Sequence, residues 1–359
     1  MDEPSRAAAD DDVRLFAFKA WSQYQGFLVS MTMHAGVELG LYDAMVGEGA
    51  VTATDRAERT GLDERWVLEW LRVQGAAGLL DHLGSEQFEL SAAAAIVLSD
   101  PDSLFYAGSP FATLPMRAAR IDDLVNGLRT GHGRSYDDHG PAGAEAVEAF
   151  FRNWYRHMLT AVMIPGLPGI ADKLSGGGRA ADIGCGSGVA LVELAKAYPK
   201  AELHGYEVSP HALDRARGNA ASADVDIAFH LVDDEPLPND ASFDLIMTLD
   251  CIHDMTDPEP VIDQIRSAIK PDGTWLWAEP RAFATFEENV ANNPMAPLMY
   301  ATSMTACLSS ATSAPGGRGY GTLGIHEAEA QRLATNAGFT RFERRDFGSP
   351  VNMFYEVGA

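Results

Sequence analysis

Lysine is scarce in this sequence. The 359 residues hold only Lys19, Lys173, Lys196, Lys200 and Lys270, against 51 Asp plus Glu and a formal net charge of −24. So acidic a chain repels phosphate backbones, and no basic run offsets that, so nucleic acid is not an expected partner. Cysteine is scarce too. Cys185, Cys251 and Cys307 are widely separated and form neither a CxxC pair nor an even set. That argues against a disulfide framework and a zinc site, leaving three buried reduced thiols and no expected metal. No apolar run approaches the roughly 20 residues of a membrane helix. Met1–Asp12 is acidic and polar, lacks an apolar signal region, and reads as a disordered tail. The expectation is a cytoplasmic protein with no membrane partner. What is present, 46% hydrophobic and 22% charged residues, is ordinary for a chain with a real core, and the length suggests two domains.

Residues 13–100 read as a small, mostly helical domain. A helical pattern runs from Phe16 to Leu41. "TATDRAERTGL" reads as a short helix begun by Thr52 or Thr54 and stopped by Gly61. In "DERWVLEWLRVQGAAGLL", Trp66, Val67, Trp70, Leu71 and Val73 recur at helical spacing. "LDHLGSEQFEL" reads as a hairpin turning at Gly84-Ser85. Three helices and a hairpin make a winged helix. Its candidate recognition helix sets Asp63, Glu64 and Glu69 against Arg65 and Arg72, with no cationic excess to meet phosphates, which favours a structural, dimer-forming role over DNA binding. Residues 101–165 read as a helical connector and pocket wall, closing on the breaker Pro165-Gly166.

From 166 to 359 strands and helices alternate. Ala180–Ile183, Glu202–Tyr206, Ile227–Leu231, Phe243–Leu249 and Thr274–Ala278 read as strands; Val189–Ala197, Pro210–Ala221, Pro258–Ile269 and Glu327–Ala337 as helices; "KPDG" as a turn; and the last 20 or so residues as two strands around Gly348-Ser349-Pro350. Such alternation demands an α/β fold with a mostly parallel sheet and helices on both faces, here with a terminal antiparallel hairpin. A glycine-rich turn follows the first strand, where a doubly wound sheet binds its ligand. Its glycines are 184, 186 and 188, with Val at 189, so the spacing is GxGxG and not the GxGxxG of a dinucleotide site. An NAD-type oxidoreductase conflicts with that spacing.

"DIGCGSG" (182–188), the acid ending "ELHGYE", "DDEPLP" after the third strand, "SFDLIMTLD" and "IKPDGTWLWAE" occur in order. Together they resemble the motifs of class I S-adenosylmethionine (SAM)-dependent methyltransferases, and the winged helix narrows the resemblance to plant-type and hydroxyindole O-methyltransferases and related bacterial small-molecule enzymes. The resemblance implies a Rossmann-like seven-stranded sheet, SAM as cofactor and a homodimer. It assigns to the cofactor Asp182, Gly184, Cys185, Gly186, Gly188, Glu207, Val208, Asp233, Asp234 and Asp250. Glu207 would accept both ribose hydroxyls, and Asp233, with Asp234 beside it, would lie near the adenine.

"CIHDMTDPE" resembles the family's "HDWxD" stretch, whose histidine is the general base, and so points to His253, with Glu279 as the acid that orients it. Met255 departs from the family, which carries Trp there. A second family acid falls near His326 or Glu327. His253-Asp254 as part of a metal site is a weaker reading, because no HxH or HxxE spacing accompanies the pair. For the acceptor, Phe105, Tyr106, Phe111, Trp154, Tyr155 and Met158 of the connector, and Met295, Met299, Tyr300 and Met304 of the insertion 281–325, are candidates to line an apolar pocket; Trp154, Met158, Met299, Tyr300 and Met304 are the favoured set. "SAPGGRGYGTLG" reads as a mobile lid. The expected activity is methyl transfer to a hydroxyl of a small aromatic or polyketide-like acceptor. A SAM-binding protein acting on N or C, or without methyl transfer, and a winged-helix regulator are the rivals.

Overall fold

The computed structural model describes residues 10–359. Its compact division falls between Pro115 and Met116, inside the expected connector 101–165. Of the expected tail 1–12, residues 1–9 lie outside the described residues, while Asp10–Asp12 form the acidic first turn of a 29-residue helix, Asp10–Glu38. Three carboxylates suit the positive end of a helix dipole, which explains why an acidic start is helical here.

The first unit grows on that helix. Thr52 caps the helix Ala53–Thr60 in a reciprocal capping box with Asp55, and Gly61, at φ 72°, ends it. Asp63 caps the helix Glu64–Ala76. This helix buries Val67, Trp70 and Leu71. Trp66, expected on the same face, is 81% exposed: an apolar residue one step outside the buried stripe copies the helical period without belonging to the core. Buried polar groups tie the helices together. Tyr42 Oη donates to Gln74 Oε1 at 2.7 Å, Gln74 Nε2 to Thr32 Oγ1 at 2.9 Å, and Trp70 Nε1 to the Thr32 carbonyl at 2.9 Å. Gly36 permits this approach, since a Cβ there would lie 2.7 Å from the Trp70 ring. The wing pairs β1 (Asp81–Gly84) with β2 (Gln87–Glu89). It turns at Ser85-Glu86, both left-handed at φ 52° and 57°, one residue later than expected.

The second unit is a seven-stranded sheet. Its strands are β3 (Arg179–Ile183), β4 (Glu202–Glu207), β5 (Ala228–Leu231), β6 (Phe243–Leu249), β7 (Ile269–Pro280), β8 (Arg341–Arg345) and β9 (Asn352–Gly358), in the order β5-β4-β3-β6-β7-β9-β8. All pairings are parallel except those of β9 with β7 and β8. The strand order reverses between β3 and β6, which opens a crevice at their carboxyl ends. The central strands are buried on both faces, with Leu245, Ile246, Met247, Trp275 and Trp277 fully covered, as a sheet flanked by helices requires. Trp275 and Trp277 stack at 4.5 Å. "KPDG" is not a free turn. Phe243 pairs with Ile269 and Leu245 already with Thr274, so the segment bulges within β7.

The helix Gly140–Trp154 continues into a π-helical stretch, Tyr155–Met163, in which the Ile164 amide bonds the Leu159 carbonyl five residues back. The wider turn carries Trp154, Tyr155 and Met158 onto the core beside β3 and β9. Glu148 anchors the first part. Its fully buried carboxylate takes hydrogen bonds from Arg152, Arg215 and Asn219, and Asn219 Nδ2 also donates to the Ser187 carbonyl of the glycine-rich turn. Burial pushes the Glu148 carboxyl up, but the bonds from Arg215 and Asn219 outweigh it and hold the group below its ordinary value. A depressed carboxylate stabilises the fold above its unfolded pKa and loses that contribution as pH falls. Glu148→Ala should cost about 2–3 kcal/mol in urea unfolding at pH 7, at the low end for a broken buried pair because both arginines reach solvent, and the gap to wild type should narrow on acidification.

Candidate functional site

The site is built from residues that end strands. Asp182 closes β3 and is buried, and its Oδ1 has no hydrogen-bond partner. Burial, then the charge of Glu207, raises its carboxyl well above the ordinary range. The turn that follows places Gly184, Gly186 and Gly188 at φ 71°, 52° and 69°, a region costly for residues with a Cβ. At Gly184 a Cβ would also come within 2.9 Å of the Cys251 side chain, whereas at Gly186 it would meet nothing within 4 Å. The backbone of this turn therefore borders open space.

Glu207 closes β4. Its Oε2 accepts from the Gly186 amide at 2.9 Å and its Oε1 from those of Val208 and Ser209 at 2.8 and 3.0 Å. Burial still raises its carboxyl, the three amides offsetting only part. Glu207 thus clamps the glycine-rich turn to β4. Val208 is 55% exposed at the rim, and Cys185 is buried, its thiol pushed well up by burial. Asp233 and Asp234 are exposed in the turn after β5. Asp250, after β6, stands at φ 59° and accepts Asn352 Nδ2 on both oxygens, at 2.9 and 2.8 Å. Burial lifts its carboxyl to about 7, against the lowering pull of His253.

The donor set fits SAM, which carries an ammonium, a sulfonium and a ribose diol. An orphaned buried carboxylate at Asp182 suits the cationic end. Glu207, whose Oε2 accepts only the Gly186 amide and can accept again, suits a ribose hydroxyl donor. The bare backbone at Gly186 admits close approach.

The second part of the site lies beyond β6. His253, in the 3-10 turn Ile252–Asp254, is 2% exposed. Its Nδ1 meets Glu279 Oε2 at 2.6 Å, and Glu279, fully buried on β7, takes its other bond from Trp277 Nε1 at 2.7 Å. His253 Nε2 lies 3.1 Å from Asp254 Oδ1, an ion-pair distance without hydrogen-bond alignment. Burial pushes the imidazole down, but Asp254 and Glu279 outweigh it and hold the pKa well above the ordinary value.

Other neighbours stand here to which the sequence reading assigned another role or none. Asp254 faces His253 Nε2 at 3.1 Å, while the second family acid was expected near His326 or Glu327. In the structure His326 caps the helix Glu327–Asn336 and Glu327 pairs with Arg344. Cys307, on the helix that packs against the Ile252–Asp254 turn, brings its sulfur to the same group. Burial and the charges of Glu207 and Asp254 raise the Tyr136 hydroxyl; burial, Asp182 and Asp250 raise that of Tyr155. Cys307 and Tyr136 follow no motif; the fold gathers them.

The pocket candidates divide. Trp154 stacks on Phe354 and packs with Met158 against the core. Met299 accepts from Asn293 Nδ2 at 3.2 Å and Tyr300 packs on Phe286, while Met304 is 39% exposed. Met295 is 39% exposed as well. Phe105, Tyr106 and Phe111 belong to the first unit. The glycine-rich stretch expected to move is anchored: the Arg318 amide bonds the Thr256 carbonyl, Tyr320 Oη donates to Glu329, and the Thr322 amide donates to Ser303 Oγ.

Comparison with known proteins identifies both parts of the chain. Residues 174–338 match a methyltransferase domain, and residues 28–100 match an Rv2258c-like winged HTH domain. The chain is 29% identical over 287 residues to mitomycin biosynthesis 6-O-methyltransferase of Streptomyces lavendulae, covering 76% of this chain and 78% of that one. It is 35% identical over 113 residues to 27-O-demethylrifamycin SV methyltransferase of Amycolatopsis mediterranei, 29% of this chain and 41% of that one. Human N-acetylserotonin methyltransferase, solved with SAM, superposes at a TM-score of 0.69 and 18% identity over 99% of this chain and 100% of that one, which shows a shared fold.

Loss of the Glu207 carboxylate should weaken S-adenosylhomocysteine binding about 10- to 100-fold, the usual worth of hydrogen bonds to a charged group. Calorimetry on Glu207→Gln and Asp182→Asn, with circular dichroism to confirm folding, checks this. Unchanged affinity in both would place the cofactor elsewhere.

Proposed function

We propose that this chain, a SAM-dependent methyltransferase made of a methyltransferase domain and a winged-helix domain, methylates a hydroxyl of an aromatic or polyketide-like small molecule with His253 as general base. The observation that carries this reading is the Glu279–His253 pair at 2.6 Å beside the cofactor crevice. The relatives named O-methyltransferases support oxygen as the methylated atom.

When bound, SAM supplies a methyl group on a sulfonium whose leaving group is a neutral thioether. Asp182 and Glu207 would hold its cationic and ribose parts, with Gly184, Cys185, Gly186, Gly188 and Val208 forming the backbone wall, Asp250 beside it, and Asp233 and Asp234 toward the adenine. The protein's own work is to place the hydroxyl in line and take its proton. Glu279 accepts from Nδ1–H and so leaves Nε2 to face the acceptor. The acceptor hydroxyl takes the place of Asp254 at Nε2, and the proton moves from oxygen to that nitrogen as the O–C bond forms. Glu279 stabilises the resulting imidazolium. Trp154, Met158, Met299, Tyr300 and Met304 are proposed to line the acceptor's apolar part.

The winged helix is proposed to build a homodimer and not to bind DNA. On the helix Glu64–Ala76, Arg65 lies 2.5 Å from Glu69 and Arg72 lies 2.9 Å from Glu86, which leaves neither cation free for a phosphate. The helix Asp10–Glu38 exposes Phe16, Phe18, Trp21, Phe27, Leu28 and Met31, an apolar surface that suits a second copy of the chain. Among the described residues no helix is long and apolar enough to cross a membrane. The free thiols Cys185, Cys251 and Cys307 suit the reducing cytoplasm, where we place the protein.

His253→Ala should lower kcat/KM by roughly 10²–10⁴, while S-adenosylhomocysteine affinity holds. A loss confined to KM would remove the base. The pH profile carries a sign. A base held above its ordinary pKa works only once deprotonated, so kcat/KM should rise with pH through a limb above about 6.5. Asp254→Asn removes a charge that favours the imidazolium and should move that limb to lower pH. Sedimentation should show a dimer that becomes a monomer in Phe16→Glu/Trp21→Glu; a monomeric parent would refute the dimer.

A further inference from the structure

We propose that His253 Nε2, Asp254 and Cys307 Sγ form a binding site for a thiophilic divalent cation such as Zn²⁺, and that its occupancy switches the enzyme off. The ligand atoms of these three side chains all lie within 4.8 Å of one another. They come from two elements packed together: His253 and Asp254 from the turn after β6, and Cys307 from the helix Cys307–Ala311. A tetrahedral cation at about 2.0–2.3 Å from its ligands holds them roughly 3.5 Å apart. The His253–Asp254 pair, at 3.1 Å, already has that spacing, and the sulfur needs only a small closing movement.

Two independent features point to a ligand at this spot. Asp254 Oδ1 is buried and has no hydrogen-bond partner, although it faces the other two groups. His253 Nδ1 is locked by the fully buried Glu279 at 2.6 Å, which is the carboxylate–histidine arrangement that fixes a metal-binding imidazole with Nε2 forward. Sulfur, imidazole nitrogen and one carboxylate oxygen make a donor set that suits Zn²⁺ and disfavours Mg²⁺ or Ca²⁺, which take oxygen ligands. Asp254 keeps 28% of its side chain exposed, which gives the cation a way in. Binding exchanges the cation for the thiol proton of Cys307 and any proton on Nε2, both released to solvent. No redox change occurs.

The inhibitory part rests on the reading of His253 as general base: a nitrogen whose lone pair is given to a metal takes no proton from an acceptor. The cation-binding part does not rest on it.

The test is a titration of the full-length protein with Co²⁺ and Zn²⁺, with Cys307→Ala, Cys307→Ser and Glu279→Gln beside it. Expected for the parent are a thiolate-to-cobalt charge-transfer band, displaced by Zn²⁺, and Zn²⁺ inhibition of methyl transfer over the same concentrations. Cys307→Ala and Cys307→Ser should lose both band and inhibition while keeping activity without metal; Cys185 and Cys251 remain in them, so a lost band belongs to Cys307. Glu279→Gln should weaken Zn²⁺ binding about 10- to 100-fold. No band in the parent, or a band that survives both cysteine variants, overturns the site. A Cys307-dependent band without inhibition keeps the site, overturns the switch, and counts against His253 as base.

Discussion

Everything at this site answers to one constraint: carboxyl groups gathered where little water reaches them. Asp182, Glu207 and Glu279 are each at most 5% exposed, and Asp250 and Asp254 stand beside them at the carboxyl ends of the parallel strands. Burying an isolated carboxylate is costly enough that the group takes up a proton or finds a cation. The structure shows each solution in part. Glu207 takes three backbone amides, Asp250 takes Asn352, Glu279 takes His253 and Trp277, and Asp182 takes no partner at Oδ1. Asp182, Glu207 and Asp250, raised above their ordinary range by burial, are an electrostatic demand for positive charge. A ligand bearing an ammonium and a sulfonium meets it, and the binding free energy draws on the relief of that cost.

The glycine-rich turn is subordinate to the same constraint. It binds Glu207 through the Gly186 amide and is held from below by Asn219, which reaches Glu148 and through it two arginines. The helix Gly140–Trp154 and the glycine-rich turn are therefore coupled by hydrogen bonds and not by packing alone. The π-helical turn that follows the same helix sets Tyr155 near Asp182 and Asp250, so one continuous segment supports the turn at one end and walls the carboxylates at the other.

How far the sequence revealed this depends on the range of the interaction. Strands, helices and the glycine-rich turn were legible because their signals are local. GxGxG after a buried strand, an acid at the end of β4 and the capping residue Thr52 each act within a few residues of themselves. Trp66 misled because helical spacing reports a period and not which side faces inward. "KPDG" misled because a turn composition also suits a bulge. Asn352, Tyr136 and Cys307 were invisible for a different reason: they lie 102, 71 and 54 residues from the groups they approach, as the pairs Asn352–Asp250, Tyr136–Glu207 and Cys307–His253 count out along the chain. No spacing rule reaches that far, and the fold alone closes the distance.

The histidine shows why proximity to an acid does not by itself make a base. With carboxylates at both ring nitrogens, His253 is driven toward the imidazolium, a form that holds a proton and cannot take one. The two acids differ in what they can give up. Glu279 is fully buried and bonded twice, so moving it would strand Trp277 Nε1 as well as its own charge. Asp254 has no aligned hydrogen bond at Oδ1 and touches solvent, so it can leave Nε2 at lower cost. On the proposal that His253 is the base, an acceptor hydroxyl that displaces Asp254 would lower the histidine's proton affinity, release the Nε2 proton to Asp254 or solvent, and occupy the vacated position. On that proposal substrate binding and activation of the base would be one event, and the imidazole would stay protonated until the acceptor arrives.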